Sequence, residues 1–171
     1  RQALSIFGRM SGMDSRAIAQ RIPALLEQVR LGQWADVRVK KFSKGMTQRL
    51  GLACSLIHSP KVLLLDEPTD GVDPVGRREI RDLLRDEAKT NGTTVLLNSH
   101  LLSEIELPCD RVAVLRHGKV AAFGSVEELT RTTATYITSV TNVPMFAGRK
   151  LLSATPAAYD ARTVMYVTPP G

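Results

Sequence analysis

The feature that most constrains this fold is a run of four aliphatic residues, Val62 to Leu65, followed at once by two carboxylates, Asp66 and Glu67. So short and apolar a run does not alternate between two faces, and it is typical of a strand buried on both faces of a parallel sheet. Pro68 ends the strand because it has no backbone donor. Ligands of open α/β sheets bind beyond the carboxyl ends of the strands. The sequence therefore predicts two acidic side chains at a ligand-binding edge.

The wider block makes this prediction specific. Residues 63–74 read L-L-L-D-E-P-T-D-G-V-D-P. A solvated loop would explain an isolated Asp-Glu pair, but residues 63–69 resemble the Walker B segment of ATP-binding-cassette (ABC) ATPases, and residues 70–74 resemble the D-loop of that family. The resemblance implies that Asp66 holds Mg²⁺ through water and that Glu67 polarises the attacking water as general base. It also implies that Asp73 couples two sites across a dimer.

A second motif precedes this block at the start of a predicted helix, where residues 42–50 read F-S-K-G-M-T-Q-R-L. Ser43 is a favoured N-cap residue at the start of a helix, and Gly45 leaves the backbone open to close approach. Helix N-termini attract anions, so the two residues could form an anion-binding site. A simple N-cap would explain the same residues. The stretch resembles the ABC signature motif, commonly L-S-G-G-Q, in the S-K-G-M variant of ABC-2-type exporters. The resemblance implies that Ser43 and Gly45 contact the γ-phosphate of ATP held by a second copy. Lys44 and Gln48 belong to the same predicted ATP-binding set, and a solvated lysine is an equal interpretation of Lys44.

A histidine follows the next predicted strand, which runs from Thr93 to Asn98. A lone histidine after a strand is usually structural. Here Asn98-Ser99-His100 resembles the switch-histidine segment of the family, with Asn98 as a mild departure. The resemblance implies that His100 senses the γ-phosphate and orients the attacking water.

The order of motifs predicts an α/β fold, a partial P-loop NTPase-like domain of three layers with helices flanking a mainly parallel sheet. We expect a helical subdomain at residues 1–58, including a helix capped by Asp14 and ended by Gly32. Half of the catalytic core follows at residues 59–131, and it closes with two strands around a tight turn. Residues 132–171 form a small β-rich C-terminal extension to which we assign no function.

The phosphate cradle of such a domain is missing from the 171 residues. No G-x-x-x-x-G-K-[ST] pattern occurs, and the Gly118-Lys119 pair lies in a predicted hairpin. In the family, the P-loop and the glutamine loop lie upstream of the helical subdomain. Because the chain also begins with Arg1 rather than Met, we expect it to be a piece of a longer protein. We expect the isolated chain neither to bind ATP tightly nor to hydrolyse it.

Composition narrows the classes of partner. The net charge is +6, but the basic residues are scattered among acids, so no nucleic-acid partner is expected. The two cysteines, Cys54 and Cys109, have no metal-binding spacing with a histidine and are expected to be buried thiols in a reducing cytoplasm. No run approaches the ~20 apolar residues of a membrane span.

These features predict the motor subunit of an ABC transporter that uses ATP and Mg²⁺, and the resemblance implies that the transporter is an exporter. The implied partners are a second nucleotide-binding domain and a transmembrane permease subunit, and the implied location is the cytoplasmic face of the cell membrane. Two alternatives remain open at this point. One is a soluble ABC ATPase not involved in transport, and the other is a truncated, non-enzymatic subunit.

Overall fold

A computed structural model describes residues 1–99, 109–116, 119–125, 128–129 and 161–167. The chain has four α-helices and five β-strands in this part, with two short 3₁₀ turns before α3. In chain order they are α1 (Gln2–Met10), α2 (Ser15–Gln28), α3 (Lys44–Leu56), β1 (Val62–Asp66), α4 (Pro74–Asn91), β2 (Thr94–Ser99), β3 (Arg111–Arg116), β4 (Lys119–Gly124) and β5 (Ala161–Val167). Among the described residues, no helix has both the length and the apolar character that crossing a membrane requires.

A local capping signal sets the start of α2, whereas packing sets its end. Asp14 is the N-cap as predicted, because its carboxylate accepts hydrogen bonds from the N–H groups of Arg16 and Ala17. The prediction that Gly32 ends the helix is wrong. Arg30 takes the left-handed position instead, with a φ of +60°. This earlier turn lets Leu31 donate to the Leu26 carbonyl and become buried, so burial of Leu31 decides where the helix ends.

The sheet has the strand order β1-β2-β5-β3-β4. β1 and β2 are parallel and in register from Val62 opposite Thr94 to Asp66 opposite Asn98. The other three pairings are antiparallel. The predicted α/β class is confirmed, while the parallel arrangement that we expected for most of the sheet is limited to the β1–β2 pair. β5 comes from residues 132–171 and lies inside the sheet, between β2 and β3.

β1 is covered on one face only. Leu63 is 4% exposed and belongs to one apolar cluster with residues of all four helices. Val62 and Leu64, on the opposite face, are 58% and 70% exposed. The expectation that both faces of β1 are buried is therefore wrong for this chain. The physical reason is that the described helices pack only on the Leu63 face.

The neighbouring leucines of β1 give a matched stability test. Leu63→Ala removes a buried side chain and should lower the free energy of unfolding by about 2–5 kcal/mol, whereas Leu64→Ala should change it by less than about 0.5 kcal/mol. Urea unfolding of both variants measures the difference. Equal losses would mean that both faces of β1 are packed.

Candidate functional site

The parallel register of β1 and β2 brings Asp66 beside Asn98 at the carboxyl ends of the two strands. The Asn98 side-chain Nδ2 donates to the Asp66 Oδ1 over 2.7 Å. The Asn98 Oδ1 is buried and has no hydrogen-bond partner in the described part of the chain. The Asp66 residue is exposed. Sequence reasoning noted Asn98 only as a departure from a motif, because its contact with Asp66 depends on a strand register that the sequence does not display.

Glu67 is held through its main chain by three parts of the fold. Its N–H donates to the Asn98 carbonyl over 2.9 Å, and its carbonyl accepts from the Asp70 N–H over 3.1 Å. The same carbonyl accepts from the Gln48 Nε2 of α3 over 3.0 Å. The φ of Glu67 is +47°, a left-handed conformation that costs a residue with a Cβ roughly 1–2 kcal/mol. The carboxylate thus leaves the main chain from a strained position at the end of β1.

The entrance of α3 lies against residues 70–74, the predicted D-loop. Ser43 is the N-cap, since its Oγ accepts from the main-chain N–H of the third residue of the helix over 3.2 Å. The Lys44 Nζ lies 2.7 Å from the Asp70 Oδ2, and both side chains are largely exposed. A Cβ built on Gly45 would meet the Gly71 carbonyl oxygen at 3.7 Å. The helix entrance and the loop are therefore in contact within one chain.

Gly71 shows how closely these two segments pack. Its φ is +70°, which favours glycine, and a Cβ at this position would collide with the aliphatic stem of Lys44. A larger residue at position 71 would therefore be strained and would displace the Lys44 side chain from Asp70.

Asp73 forms the N-cap of α4, directly before Pro74. Its carboxylate accepts hydrogen bonds from the N–H groups of Val75 and Gly76 over 3.1 and 3.0 Å. The bond from Gly76, with smaller contributions from Val75 and nearby groups, lowers the pKa of Asp73, so the side chain is ionised at neutral pH. Within this chain Asp73 caps the start of α4, and its coupling role across a dimer stays a prediction.

The structure therefore brings most of the predicted site residues into one continuous region at the carboxyl edge of β1. Gln48 contacts Glu67, Lys44 contacts Asp70, and the loop then leads directly to Asp73. The set that shares this region consists of Ser43, Lys44, Gly45, Gln48, Asp66, Glu67 and Asp73. His100 lies outside the described residues, and its assignment stays a prediction.

The region contains few side chains that could bind a metal ion. No group of three or more His, Cys, Asp or Glu side chains that could hold a metal ion occurs among the residues that the structure describes. Asp66 supplies one exposed carboxylate whose other oxygen is held by Asn98. This fits Mg²⁺, which keeps several waters and is commonly bound by one or two carboxylates together with substrate phosphates.

Two further features contain none of the predicted site residues. Both cysteines are free thiols, and burial raises the pKa of Cys54 and raises that of Cys109 to about 12. Both thiols stay protonated at neutral pH. Cys54 is buried, as predicted, whereas Cys109 is only half-buried. A cavity of about 270 Å³ lies between α1 and the segment before α3, where Arg1, Trp34 and Phe42 contribute to its lining.

Comparison with known proteins identifies what the chain is similar to. The family model described as ABC transporter matches residues 1–70. An uncharacterized ABC transporter ATP-binding protein of Bacillus subtilis (strain 168) is 50% identical over 109 residues, which cover 64% of this chain and 36% of the relative. The Nod factor export ATP-binding protein I of Rhizobium sp. (strain N33) is 46% identical over 129 residues, which cover 75% of this chain and 42% of the relative.

Solved structures show the same similarity in the fold. One is an ATP-binding subunit of an ABC transporter, with a TM-score of 0.68 and 27% identity over 78% of this chain and 55% of that one. Another is cbiO1 from Clostridium perfringens, part of an ABC transporter complex, with a TM-score of 0.66 and 28% identity over 81% of this chain and 56% of that one. The chain spans about two fifths of the two curated relatives and just over half of these solved chains. By sequence and by fold, the chain is similar to the ATP-binding subunits of ABC transporters.

Proposed function

We propose that this chain is part of the ATP-hydrolysing motor subunit of an ABC exporter, which couples hydrolysis to transport through a permease partner. The observation that carries the proposal is the gathering of Asp66, Glu67 and the α3 entrance at the carboxyl edge of β1. The assignment to export is supported by the Nod factor export relative. Phosphoryl transfer needs groups that bind the phosphates, hold a magnesium ion and position the attacking water. This edge carries candidates for the magnesium ion and the water, and the α3 entrance carries candidates for contact with phosphates bound by a second copy.

Each residue has a distinct part in this proposal. Asp66 holds the water shell of Mg²⁺, and that ion, when bound, neutralises charge on the phosphates of ATP. Glu67 accepts a proton from the attacking water, and His100 orients that water. Ser43, Lys44 and Gly45 of one copy face the γ-phosphate bound by the other copy.

The exposed α3 entrance supports the proposed assembly. Ser43 and Lys44 are exposed, so they are available to a second nucleotide-binding domain arranged head to tail. Asp73 then couples the two sites across the pair. A transmembrane permease subunit is the partner that would place this assembly on the inner face of the cell membrane and determine the transported substrate.

The first test compares the isolated chain with a fusion that restores a P-loop. The fusion joins this chain to the segment of the Bacillus subtilis relative that precedes the matched residues. We expect no micromolar ATP binding and no turnover for the isolated chain, because it has no phosphate cradle. We expect both for the fusion. Turnover by the isolated chain, or a folded fusion that binds no ATP, would contradict the proposal.

Glu67→Gln in the fusion tests the general base. The amide keeps the size of the side chain but cannot accept the proton, so kcat should fall by about 10²–10⁴-fold while ATP affinity is retained. Glu27→Gln, at an exposed position of α2, is the matched control and should keep full turnover. Similar activities of the two variants would remove Glu67 from the chemistry.

Asp66→Asn in the fusion tests the metal assignment. The introduced amide oxygen can still accept from Asn98, so the fold should be kept, whereas the charge that attracts Mg²⁺ is lost. The Mg²⁺ concentration for half-maximal turnover should rise by about 10- to 100-fold. Asp86→Asn on the exposed side of α4 should leave it unchanged. An unaltered Mg²⁺ requirement in Asp66→Asn would refute this role.

Purification of the fusion from the membranes of the cells that express it tests the assignment to a transporter. Recovery of a multi-span membrane protein in stoichiometric amount is the expected result. Recovery of nucleic acid or ribosomes instead would favour an ABC ATPase outside transport.

A further inference from the structure

The backbone of Glu67 is left-handed at a position where the local chain does not call for it. In the described part of the chain, two other non-glycine residues have a positive φ, Arg30 at +60° and Ser59 at +51°. Both come shortly after the end of an α-helix, where a left-handed residue is an ordinary way to finish the helix. Glu67 instead follows a strand and precedes a proline. Contacts from elsewhere in the fold must therefore hold its conformation.

Among the backbone hydrogen bonds of Glu67 with described residues, one differs in origin from the others. The bonds with Asn98 and Asp70 join main-chain groups of the paired strand and of the following turn. The third comes from a side chain, the half-buried amide of Gln48, which lies 19 residues earlier in the sequence on α3. Gln48 is thus the contact that ties the conformation of Glu67 to the helix of the signature motif.

We propose that Gln48 is a positioning residue that holds the left-handed backbone of Glu67 and so fixes the direction in which its carboxylate leaves the main chain. The inference rests on the proposed function only in assigning the Glu67 carboxylate the role of general base. It assigns Gln48 a role inside its own subunit. The resemblance predicted a different role, contact with ATP held by the second subunit.

The chemistry of position 48 is restrictive because a carbonyl oxygen can be held only by a donor. Glutamate has the same shape as glutamine but no donor at neutral pH, and its carboxylate would face the Glu67 carbonyl. Methionine has a similar length, no donor and no charge. Gln48→Glu and Gln48→Met therefore remove the same contact in two ways, and the second does so without adding repulsion. Gln20→Glu, at an exposed position of α2, controls for the added charge.

Amide hydrogen exchange of the whole chain tests the contact without ATP. In both position-48 variants, the Glu67 and Asp70 amides should exchange about two- to tenfold faster, the range expected for loss of one hydrogen bond. Amides in the middle of β2 should not change, and Gln20→Glu should match the parent chain. Unchanged exchange at Glu67 and Asp70 in both variants would overturn the inference.

A glycine background tests whether the contact holds strained backbone. Glycine adopts a positive φ without steric cost. In Glu67→Gly, the loop should keep its shape unaided, and the effect of Gln48→Met on the Asp70 amide should shrink below about twofold. An effect as large as that in the parent chain would show that Gln48 does not act by holding the left-handed conformation.

Kinetics of the fusion separate positioning from nucleotide contact. Gln48→Met should lower kcat and leave the KM for ATP unchanged, because it alters the orientation of the Glu67 carboxylate and not the binding of ATP. A higher KM with an unchanged kcat would place Gln48 on the nucleotide and overturn the inference. If the parent fusion has no turnover, the proposed function fails, and the exchange experiment still decides whether Gln48 holds Glu67.

Discussion

The parallel pairing of β1 with β2 is the constraint on which the rest of the site depends. It sets Asp66 opposite Asn98 and lets the Asn98 amide hold one carboxylate oxygen. The Asn98 carbonyl then receives the N–H of Glu67, so the same residue organises both acids. A shift of one residue in this register would reverse the faces of β1 and bury Leu64 in place of Leu63. The stability of the core and the geometry of the site therefore share one cause.

A second set of contacts joins α3 to the end of β1. Gln48 contacts the Glu67 carbonyl, and Lys44 pairs with Asp70 over Gly71. The ion pair is largely exposed and contributes little to stability, whereas the half-buried amide contact holds strained backbone. The two contacts thus differ in function. The Gln48 amide contact orders Glu67, the proposed general base. The Lys44–Asp70 ion pair can exchange partners at low cost when the helix entrance meets another anion.

The sequence predicted best where a strong local signal acts alone. Both ends of α4 carry such a signal, because Pro74 begins the helix and Gly92 takes the left-handed position after it, with a φ of +65°. The acids were placed correctly at the end of β1 because that position follows from the strand itself. Contacts of Asn98 and Gln48 could not be predicted, since they depend on strand register and on the packing of a distant helix. The exposure of Leu64 escaped prediction for a related reason, because an apolar run does not reveal which faces are covered.

The most direct test that α3 lies against the acids at the end of β1 is a nuclear Overhauser measurement on the ¹⁵N-labelled chain. The Gln48 side-chain amide and the Asp70 N–H both donate to the Glu67 carbonyl oxygen. Their protons should therefore lie within about 4 Å of each other. The account predicts a cross-peak between these two amides. Cross-peaks from the Gln48 amide to its own helix alone would contradict it, because α3 would then lie apart from the acids that end β1.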